Sequence, residues 1–158
     1  MRRLAVAVVI VLILAADQET KSLARQHLRG RPARHFGAIT LIYAVNRGAF
    51  LSLGENFSES MRTIVFDVIV AIGLAVAAFA LFRSELHRGD DFALAAIIAG
   101  GVGNLIDRLR FAGRVSDFVY LSAGPLHTGV FNIADMAITF GVIWLMVSWM
   151  FSTRARIS

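Results

Sequence analysis

Apolar runs of bilayer-spanning length recur along this chain, and they restrict its possible folds more than any other feature. They start near Leu4, Arg62, Phe92 and Val130. A transmembrane helix needs about 20 mostly apolar residues. The chain is 57% hydrophobic, whereas soluble domains contain about 45–50% apolar residues. We therefore predict a polytopic membrane protein that forms a single domain over residues 1–158.

The predicted fold is an all-α membrane bundle of four transmembrane helices with a small extracytoplasmic element that contains strands. The spans are expected at about residues 4–24, 62–82, 92–108 and 130–151. The extracytoplasmic segments are expected at about residues 25–60 and 109–129. Each segment contains one predicted strand, Phe36–Val45 and Arg114–Leu121. One side of the first strand is expected to carry Ile39, Leu41, Tyr43 and Val45.

The first apolar run, Leu4–Ala16, has two interpretations. Its basic start and short length are typical of a cleaved signal peptide. It reaches spanning length if the helix continues past Asp17 and Lys21 to residue 24. These two residues are four apart and share a helix face, either as a surface ion pair or as a polar face turned toward other helices. We expect that the helix is retained, and the residues alone leave both roles of Asp17 and Lys21 open.

The distribution of basic residues predicts the orientation of the bundle. Four spans place both termini on one side of the membrane. The tails and the short loop between the second and third spans carry Arg2, Arg3, Arg83, Arg88, Arg154 and Arg156. The long segments on the other side carry more basic residues in total, but the charge bias is counted over short loops. We therefore predict that both termini lie in the cytoplasm.

Three carboxylates, Asp67, Asp107 and Asp135, lie within or at the end of apolar runs, near the predicted outer surface. Carboxylates at such positions are costly and usually functional. Two close carboxylates share a proton, so that one can activate water while the other polarises a carbonyl. Asn104 and Asn132 each precede an aspartate by three residues, which favours Asp107 and Asp135. The residues alone do not exclude Asp67, and any single aspartate could be a cap or an interfacial charge.

Five short motifs occur in an order that resembles the bacterial lipoprotein signal peptidase family, signal peptidase II, nearly from end to end. Each motif alone is a weak signal, but five in order are specific. One departure is local, because family members often have Gly-Ala-Ala-Phe where this chain has Gly48-Ala49-Phe50-Leu51. The motifs are Asp17-Gln18-Glu19-Thr20-Lys21, Asn46-Arg47-Gly48-Ala49, Gly100-Gly101-Val102-Gly103-Asn104-Leu105-Ile106-Asp107-Arg108, Val115-Ser116-Asp117-Phe118 and Phe131-Asn132-Ile133-Ala134-Asp135.

The resemblance implies an intramembrane aspartic peptidase that cleaves diacylglyceryl-modified prolipoproteins just before the lipidated cysteine. It implies catalytic Asp107 and Asp135, no cofactor, and an extracytoplasmic β-cradle on a four-helix bundle of the bacterial inner membrane. The active site would lie near the extracytoplasmic face. Because Asp67 matches no motif, the resemblance favours Asp107 and Asp135 over Asp67. Further residues expected to line or support the site are Asp17, Lys21, Asn46, Gly48, Asn104, Arg108, Asn132 and Ala134.

Composition limits the other chemistry and the partners. The chain has no cysteine, which excludes thiolate catalysis and cysteine-ligated metals. Its four histidines are scattered outside the apolar runs, so no metal site is predicted. The net charge of +5 comes from basic residues flanking apolar runs, which favours anionic lipid headgroups over nucleic acid. The expected partners are prolipoprotein substrates and membrane lipids, with no obligate protein partner.

Three alternative functions stay open at this point. A small channel or transporter subunit could use Asp67, Asp107 and Asp135 as an ion or proton relay, but this leaves the large outer segments unexplained. A presenilin-type protease would carry Gly-x-Gly-Asp, whereas here Gly101-Val102-Gly103 is followed by Asn104. A scaffold would only pack against partners. Activity on a lipidated precursor peptide distinguishes the prediction from all three.

Overall fold

The apolar runs form long helices, and the two mixed segments supply the strands of a small sheet. The computed structural model describes residues 1–47, 56–83 and 89–154, so Gly48 and the loop that follows it lie outside the described residues. A π-helical segment, Thr63–Ile69, runs directly into the third helix. The helices are α1 (Arg2–His27), α2 (Glu59–Arg62), α3 (Val70–Arg83), α4 (Asp90–Arg110) and α5 (Ile133–Arg154). The strands are β1 (Arg34–Phe36), β2 (Ile39–Asn46), β3 (Val115–Ala123) and β4 (Leu126–His127).

Among the described residues, three helical stretches are long and apolar enough to cross a membrane: Thr63–Arg83, Asp90–Arg110 and Ile133–Ser152. Many of their large apolar side chains, such as Phe79 and Trp149, face outward, as lipid-facing side chains do. Helix α1 has 26 residues and is about 39 Å long at 1.5 Å per residue. The uncharged stretch after Arg2 and Arg3 ends at Asp17, however, so the role of α1 as a fourth span stays a prediction.

Contacts near the helix ends show that α1 and α4 run parallel while α5 runs antiparallel to them. Arg2 at the start of α1 pairs with Asp91 at the start of α4. Trp144, in the second half of α5, also donates a hydrogen bond to the start of α4. At the opposite end, Ala134 near the start of α5 contacts Asp17 of α1. Strands β1 and β2 follow the end of α1, and β3 and β4 lie between the end of α4 and the start of α5. The sheet therefore lies at this second end.

Helix α4 lies at the centre of the bundle because its small residues let two neighbours approach closely. Ala95 is fully buried. A Cβ atom added to Gly103 would lie 2.5 Å from Asp17 Oδ2 of α1. One added to Gly100 would clash with the backbone oxygen of Ala134 in α5. Small residues at such interfaces are typical of membrane helix packing, and here they bring polar groups of three helices together.

The strands form one antiparallel sheet in the order β1-β2-β3-β4. Both predicted strands are confirmed, Phe36–Val45 largely as β2 and Arg114–Leu121 as β3. Their pairing runs from Ile39 opposite Leu121 to Asn46 opposite Val115. A register shift between Leu41 and Ala44 interrupts this ladder, as a β-bulge does.

The predicted sidedness of β2 is partly wrong, and the register shift accounts for Val45, which lies beyond it. Leu41 and Tyr43 pack against the apolar core, but Ile39 and Val45 are exposed. A bulge exchanges the two faces of a strand beyond it, because side chains alternate with a period of two. Asn46 is consequently buried at the end of β2, where it faces the polar interior.

Apolar clusters hold the sheet on the helices and the helices on one another. Ala24 and Leu28 of α1 pack against Phe118 of β3. Toward the other end, Val6 of α1 and Ile98 of α4 belong to a second cluster that also includes α3. The first cluster places β3 directly over the ends of the helices, so that its polar residues can enter the bundle.

Candidate active site

Two charged residues of α1 are buried between the helices. Asp17 and Lys21 are 0% exposed, and Lys21 Nζ lies 2.9 Å from Asp17 Oδ2. Lys21 also donates a hydrogen bond of 2.9 Å to Asn104 Oδ1 in α4. Buried charges are stable only when they are paired and hydrogen-bonded. The structure therefore places both residues on an interior polar face, and not in a surface ion pair.

Asp17 also holds the first turn of α5. Its Oδ1 accepts a hydrogen bond of 2.9 Å from the backbone N–H of Ala134. Gln18 donates hydrogen bonds of 3.1 Å to Asp17 Oδ2 and to the carbonyl oxygen of Gly103. The first N–H groups of a helix have no partner within that helix. A carboxylate from α1 satisfies one of them here and fixes the start of α5 against α1 and α4.

Asn132 and Asp135 form a reciprocal cap at the start of α5. Asn132 Oδ1 accepts a hydrogen bond of 2.9 Å from the Asp135 N–H, and Asp135 Oδ2 accepts one of 3.3 Å from the Asn132 N–H. This is a capping-box arrangement. Asp135 Oδ1 has a further role, because it accepts a hydrogen bond of 2.9 Å from Asn104 Nδ2. The cap therefore orients Asp135 toward α4.

Asp117 of β3 enters the same network from the sheet. Its side chain accepts hydrogen bonds at both oxygens, 2.7 Å from Asn132 Nδ2 to Oδ1 and 3.1 Å from Asn46 Nδ2 to Oδ2. Asn132 Nδ2 also donates a bond of 3.2 Å to Asn104 Oδ1. Asn132 thus contacts Asp117 through its amide nitrogen and Asp135 through its amide oxygen and backbone. One side chain links the two carboxylates.

The negative charge of Asp135 acts on Asp117. Burial, followed by the negative charge of Asp135, raises the pKa of Asp117 to about 7, although hydrogen bonds from Asn46 and Asn132 act in the opposite direction. A carboxyl group whose pKa lies near 7 can hold or release a proton near neutral pH. Asp117 can therefore act as a proton donor or acceptor beside Asp135.

Asp107 is buried in α4, but its partners are different. Its Oδ2 accepts a hydrogen bond of 2.9 Å from the Ser116 N–H. The same oxygen lies 3.6 Å from Arg25 Nη1 and 3.9 Å from Lys21 Nζ. Its Oδ1 accepts no hydrogen bond from the described residues. Asp107 therefore joins α4 to α1 and to the start of β3.

The two Asn-x-x-Asp motifs are not equivalent in the structure. Asn132 caps the helix of its own aspartate, Asp135. The Asn104 side chain instead contacts Lys21, Asn132 and Asp135. The two asparagines therefore have the same spacing to an aspartate but different roles. Asn132 caps α5, whereas Asn104 links α4 to α1 and α5.

A groove and a pocket open beside the network among the described residues. The groove has a volume of about 360 Å³ and mostly apolar walls. We name it the Phe131 groove; it is lined by Leu121, His127, Thr128, Phe131, Asp135, Met136, Thr139 and Phe140. The pocket has a volume of about 410 Å³, and its charged residues are Arg47, Asp67, Arg108 and Arg114. We name it the arginine pocket.

Most of the predicted site residues lie close together. One connected network contains Asp17, Lys21, Asn46, Asn104, Asn132, Ala134 and Asp135. Asp107 borders this network through Lys21, and Arg108 lies at the arginine pocket. Gly48 lies outside the described residues. Within the described ranges, no group of three or more His, Cys, Asp or Glu side chains could hold a metal ion.

Asp117 was not among the site residues predicted from the sequence, although its motif was recognised. Asp117 lies outside the apolar runs, where a carboxylate has no special cost, so the search for intramembrane charges missed it. Val115, Ser116, Asp117 and Phe118 are all buried in the structure. The signal in the sequence was a predicted strand in which Ser116 and Asp117 lie between apolar residues. If such a strand is buried, its polar side chains need hydrogen-bond partners.

This fold and this sequence have clear relatives. The structure is similar to a solved bacterial membrane enzyme with a TM-score of 0.81 and 24% identity, covering 94% of this chain and 89% of that chain. At this identity the likeness shows a shared fold. The family model described as Signal peptidase (SPase) II matches residues 9–151. The chain belongs to the signal peptidase II family.

Full-length relatives confirm the predicted family. A lipoprotein signal peptidase of Francisella tularensis subsp. mediasiatica is 35% identical over 151 residues, covering 93% of this chain and 92% of the relative. One from Desulforapulum autotrophicum is 38% identical over 140 residues, covering 85% of each chain. Membership in the signal peptidase II family makes this chain a peptidase, and its apolar helices make it a membrane protein.

Proposed function

We propose that this chain is an aspartic endopeptidase that removes signal peptides from diacylglyceryl-modified prolipoproteins, cutting just before the lipidated cysteine. Relatives named lipoprotein signal peptidase support the substrate class. The buried polar network supports the reaction type. The observation that carries the proposal is the Asn132 side chain, which links Asp117 to Asp135 between the sheet and α5.

The catalytic pair in this proposal is Asp117 and Asp135. One ionised carboxylate takes a proton from water, and the resulting hydroxide adds to the carbonyl carbon of the scissile bond. The protonated carboxyl group donates its proton to the carbonyl oxygen. When the carbon–nitrogen bond breaks, the leaving amine takes up the proton that the first carboxylate removed from water. A hydroxyl group of the intermediate returns a proton to the second carboxylate as the new carboxyl group forms. Since Asn132 holds both carboxylates, it acts as a positioning residue.

The pair Asp107 and Asp135, expected from the sequence and the resemblance, stays a prediction. In its favour, Asp107 Oδ1 is a buried oxygen that accepts no hydrogen bond from the described residues. Against it, Asp107 Oδ2 is engaged by Arg25, Lys21 and the Ser116 N–H. We propose that Asp107 positions β3, whose next residue after Ser116 is Asp117.

The Phe131 groove suits the apolar part of the substrate. Asp135 lies at its wall beside apolar side chains such as Phe131, Met136 and Phe140. Acyl chains in this groove would hold the lipidated cysteine next to the carboxylates and keep bulk water out. Fixing the reacting bond in this way supplies much of the advantage of an intramolecular reaction.

Cleavage of a lipidated precursor peptide by purified variants tests the pair. Asp117→Asn and Asp135→Asn should each lower turnover by at least about a thousandfold, since either change removes an acid–base group. Asp107→Asn should retain measurable turnover with a lower thermal midpoint. Glu19→Gln, an exposed carboxylate two residues from Asp17, is the matched control. An inactive Asp107→Asn enzyme beside an active Asp117→Asn enzyme would restore the pair predicted from the sequence.

We also propose that the protein lies in the bacterial inner membrane with both termini in the cytoplasm. The carboxylate network and the sheet would then lie at the extracytoplasmic face. Single cysteines in this cysteine-free chain, labelled with an impermeant thiol reagent in intact cells, test this orientation. Position 36 in β1 should be labelled from outside and position 3 should not. The reverse pattern would overturn the orientation and leave the chemistry untouched.

A further inference from the structure

We propose that the arginine pocket binds the phosphate group of an anionic glycerophospholipid. The pocket has a volume of about 410 Å³, and it lies between the π-helical segment and the end of α4. It is separate from the Phe131 groove, which shares no lining residue with it. The inference does not depend on the peptidase reaction, because it concerns a second ligand at a second site.

The charges of the pocket favour an anion. Three guanidinium groups line it, together with one carboxylate, Asp67. Buried Arg108 is surrounded by acidic residues, and Asp67 acts on it most strongly. Arg47 and Arg114 are exposed, and no carboxylate oxygen of the described residues lies within ion-pair distance of either. Their two positive charges are therefore available to a ligand.

The depth of the pocket favours a lipid over a dissolved ion. Asp67 lies near the start of one apolar span, Thr63–Arg83, and Arg108 lies near the end of another, Asp90–Arg110. The pocket is therefore at the boundary between apolar and polar surface, where lipid phosphates lie. Leu109 lines the pocket and is largely exposed.

The walls of the pocket continue into an apolar surface. Phe66 lies in the pocket with the Arg108 guanidinium 5.4 Å above its ring centroid. Farther along the same helical run, Val68 and Ile72 are exposed. A glycerophospholipid could place its phosphate between the arginines while its acyl chains follow this surface. Basic pockets between transmembrane helices bind lipid headgroups in the same manner.

Native mass spectrometry of the detergent-purified full chain, titrated with phosphatidylglycerol or phosphatidylcholine, tests the proposal. The double variant Arg47→Gln/Arg114→Gln should weaken retention of phosphatidylglycerol by about thirtyfold, at about tenfold per 1.4 kcal/mol and about 1 kcal/mol per arginine. Phosphatidylcholine retention should not change. Arg3→Gln/Arg83→Gln removes the same charge at the other end of the bundle and should have less than about a twofold effect.

Several results would overturn the proposal. Equal losses in the two double variants would indicate general surface charge. Full competition by millimolar inorganic phosphate would indicate a free-anion site. Unchanged lipid retention with weaker binding of precursor peptide would assign the pocket to the peptide. An intact thermal midpoint in the pocket variant excludes misfolding as the cause, and because no cleavage is measured, failure of the proposed peptidase activity would not affect the result.

Discussion

Replacing Asp117 by asparagine should change how the stability of the protein depends on pH. Burial and the charge of Asp135 raise the pKa of Asp117 from 3.8 to about 7 in the folded protein. Between about pH 4 and pH 7 the unfolded chain has lost this proton while the folded protein keeps it, so the free energy of unfolding falls as pH rises. A shift of about three units corresponds to about 4 kcal/mol at 1.36 kcal/mol per unit. Asparagine does not titrate, so Asp117→Asn removes this slope.

The same substitution carries a second effect that does not depend on pH. Both oxygens of Asp117 accept amide protons, from Asn132 and Asn46, whereas asparagine offers only one acceptor oxygen. The amide group of Asn46 or Asn132 would then face the amide nitrogen of the new asparagine, and this loss of an acceptor costs about 1–3 kcal/mol. The variant should therefore be less stable than the parent at pH 4. Its relative stability should improve by up to about 4 kcal/mol by pH 8.

Unfolding of parent and variant in detergent micelles, measured at several values between about pH 4 and pH 8, tests this reasoning. The informative quantity is the difference between the two proteins at each pH, since it cancels the titration of the other groups. Glu19→Gln controls for the loss of one negative charge at an exposed position. A difference that stays constant across the range would refute the assignment of a raised pKa to Asp117.

Three further predictions follow from the helix contacts. Asp17→Ala removes the nearer carboxylate partner of buried Lys21 and the acceptor of the Ala134 N–H, and it should lower the free energy of unfolding by about 3–5 kcal/mol. Glu19→Gln should change it by less than about 0.5 kcal/mol in chemical denaturation. Gly103→Ala should destabilise by about 1–3 kcal/mol because its Cβ would lie 2.5 Å from a carboxylate oxygen. Gly73→Ala, with no atom within 4 Å of its Cβ, should be neutral or stabilising in the same assay. Intact mass of the purified protein should include Leu4–Ala16, and loss of that run would contradict a retained first helix.

The sequence predicted the membrane class, both central strands and the family correctly. Apolar runs are long and continuous, so they identify helices without knowledge of their neighbours. Asp17 and Lys21 were predicted to face inward from their four-residue spacing together with the match to a motif of the resembled family, and the structure buries both. The predicted side of Val45 in β2 was wrong because the register shift between Leu41 and Ala44 exchanges the two faces of the strand beyond it. Nothing local in the sequence marks that shift.

The choice of carboxylates shows the limit of sequence reasoning most clearly. Depth in the membrane can be estimated from position in an apolar run, but Asp67, Asp107 and Asp135 share that depth. The Asn-x-x-Asp spacing and the motifs of the resembled family favoured Asp107 and Asp135. Depth does not determine which side chains face one another. A carboxylate in a strand, Asp117, reaches the network only because β3 lies over the helix ends.

What the sequence by itself determined is therefore the set of helices, the presence of polar residues near their ends, and the family. These depend on local composition and spacing, which each segment carries alone. Only the tertiary structure decided that Asn132 links Asp117 to Asp135 while Asp107 contacts Arg25 and Lys21. Those pairings depend on the register of β3 and on the close approach of three helices, and such distances between remote segments exist only in the folded chain.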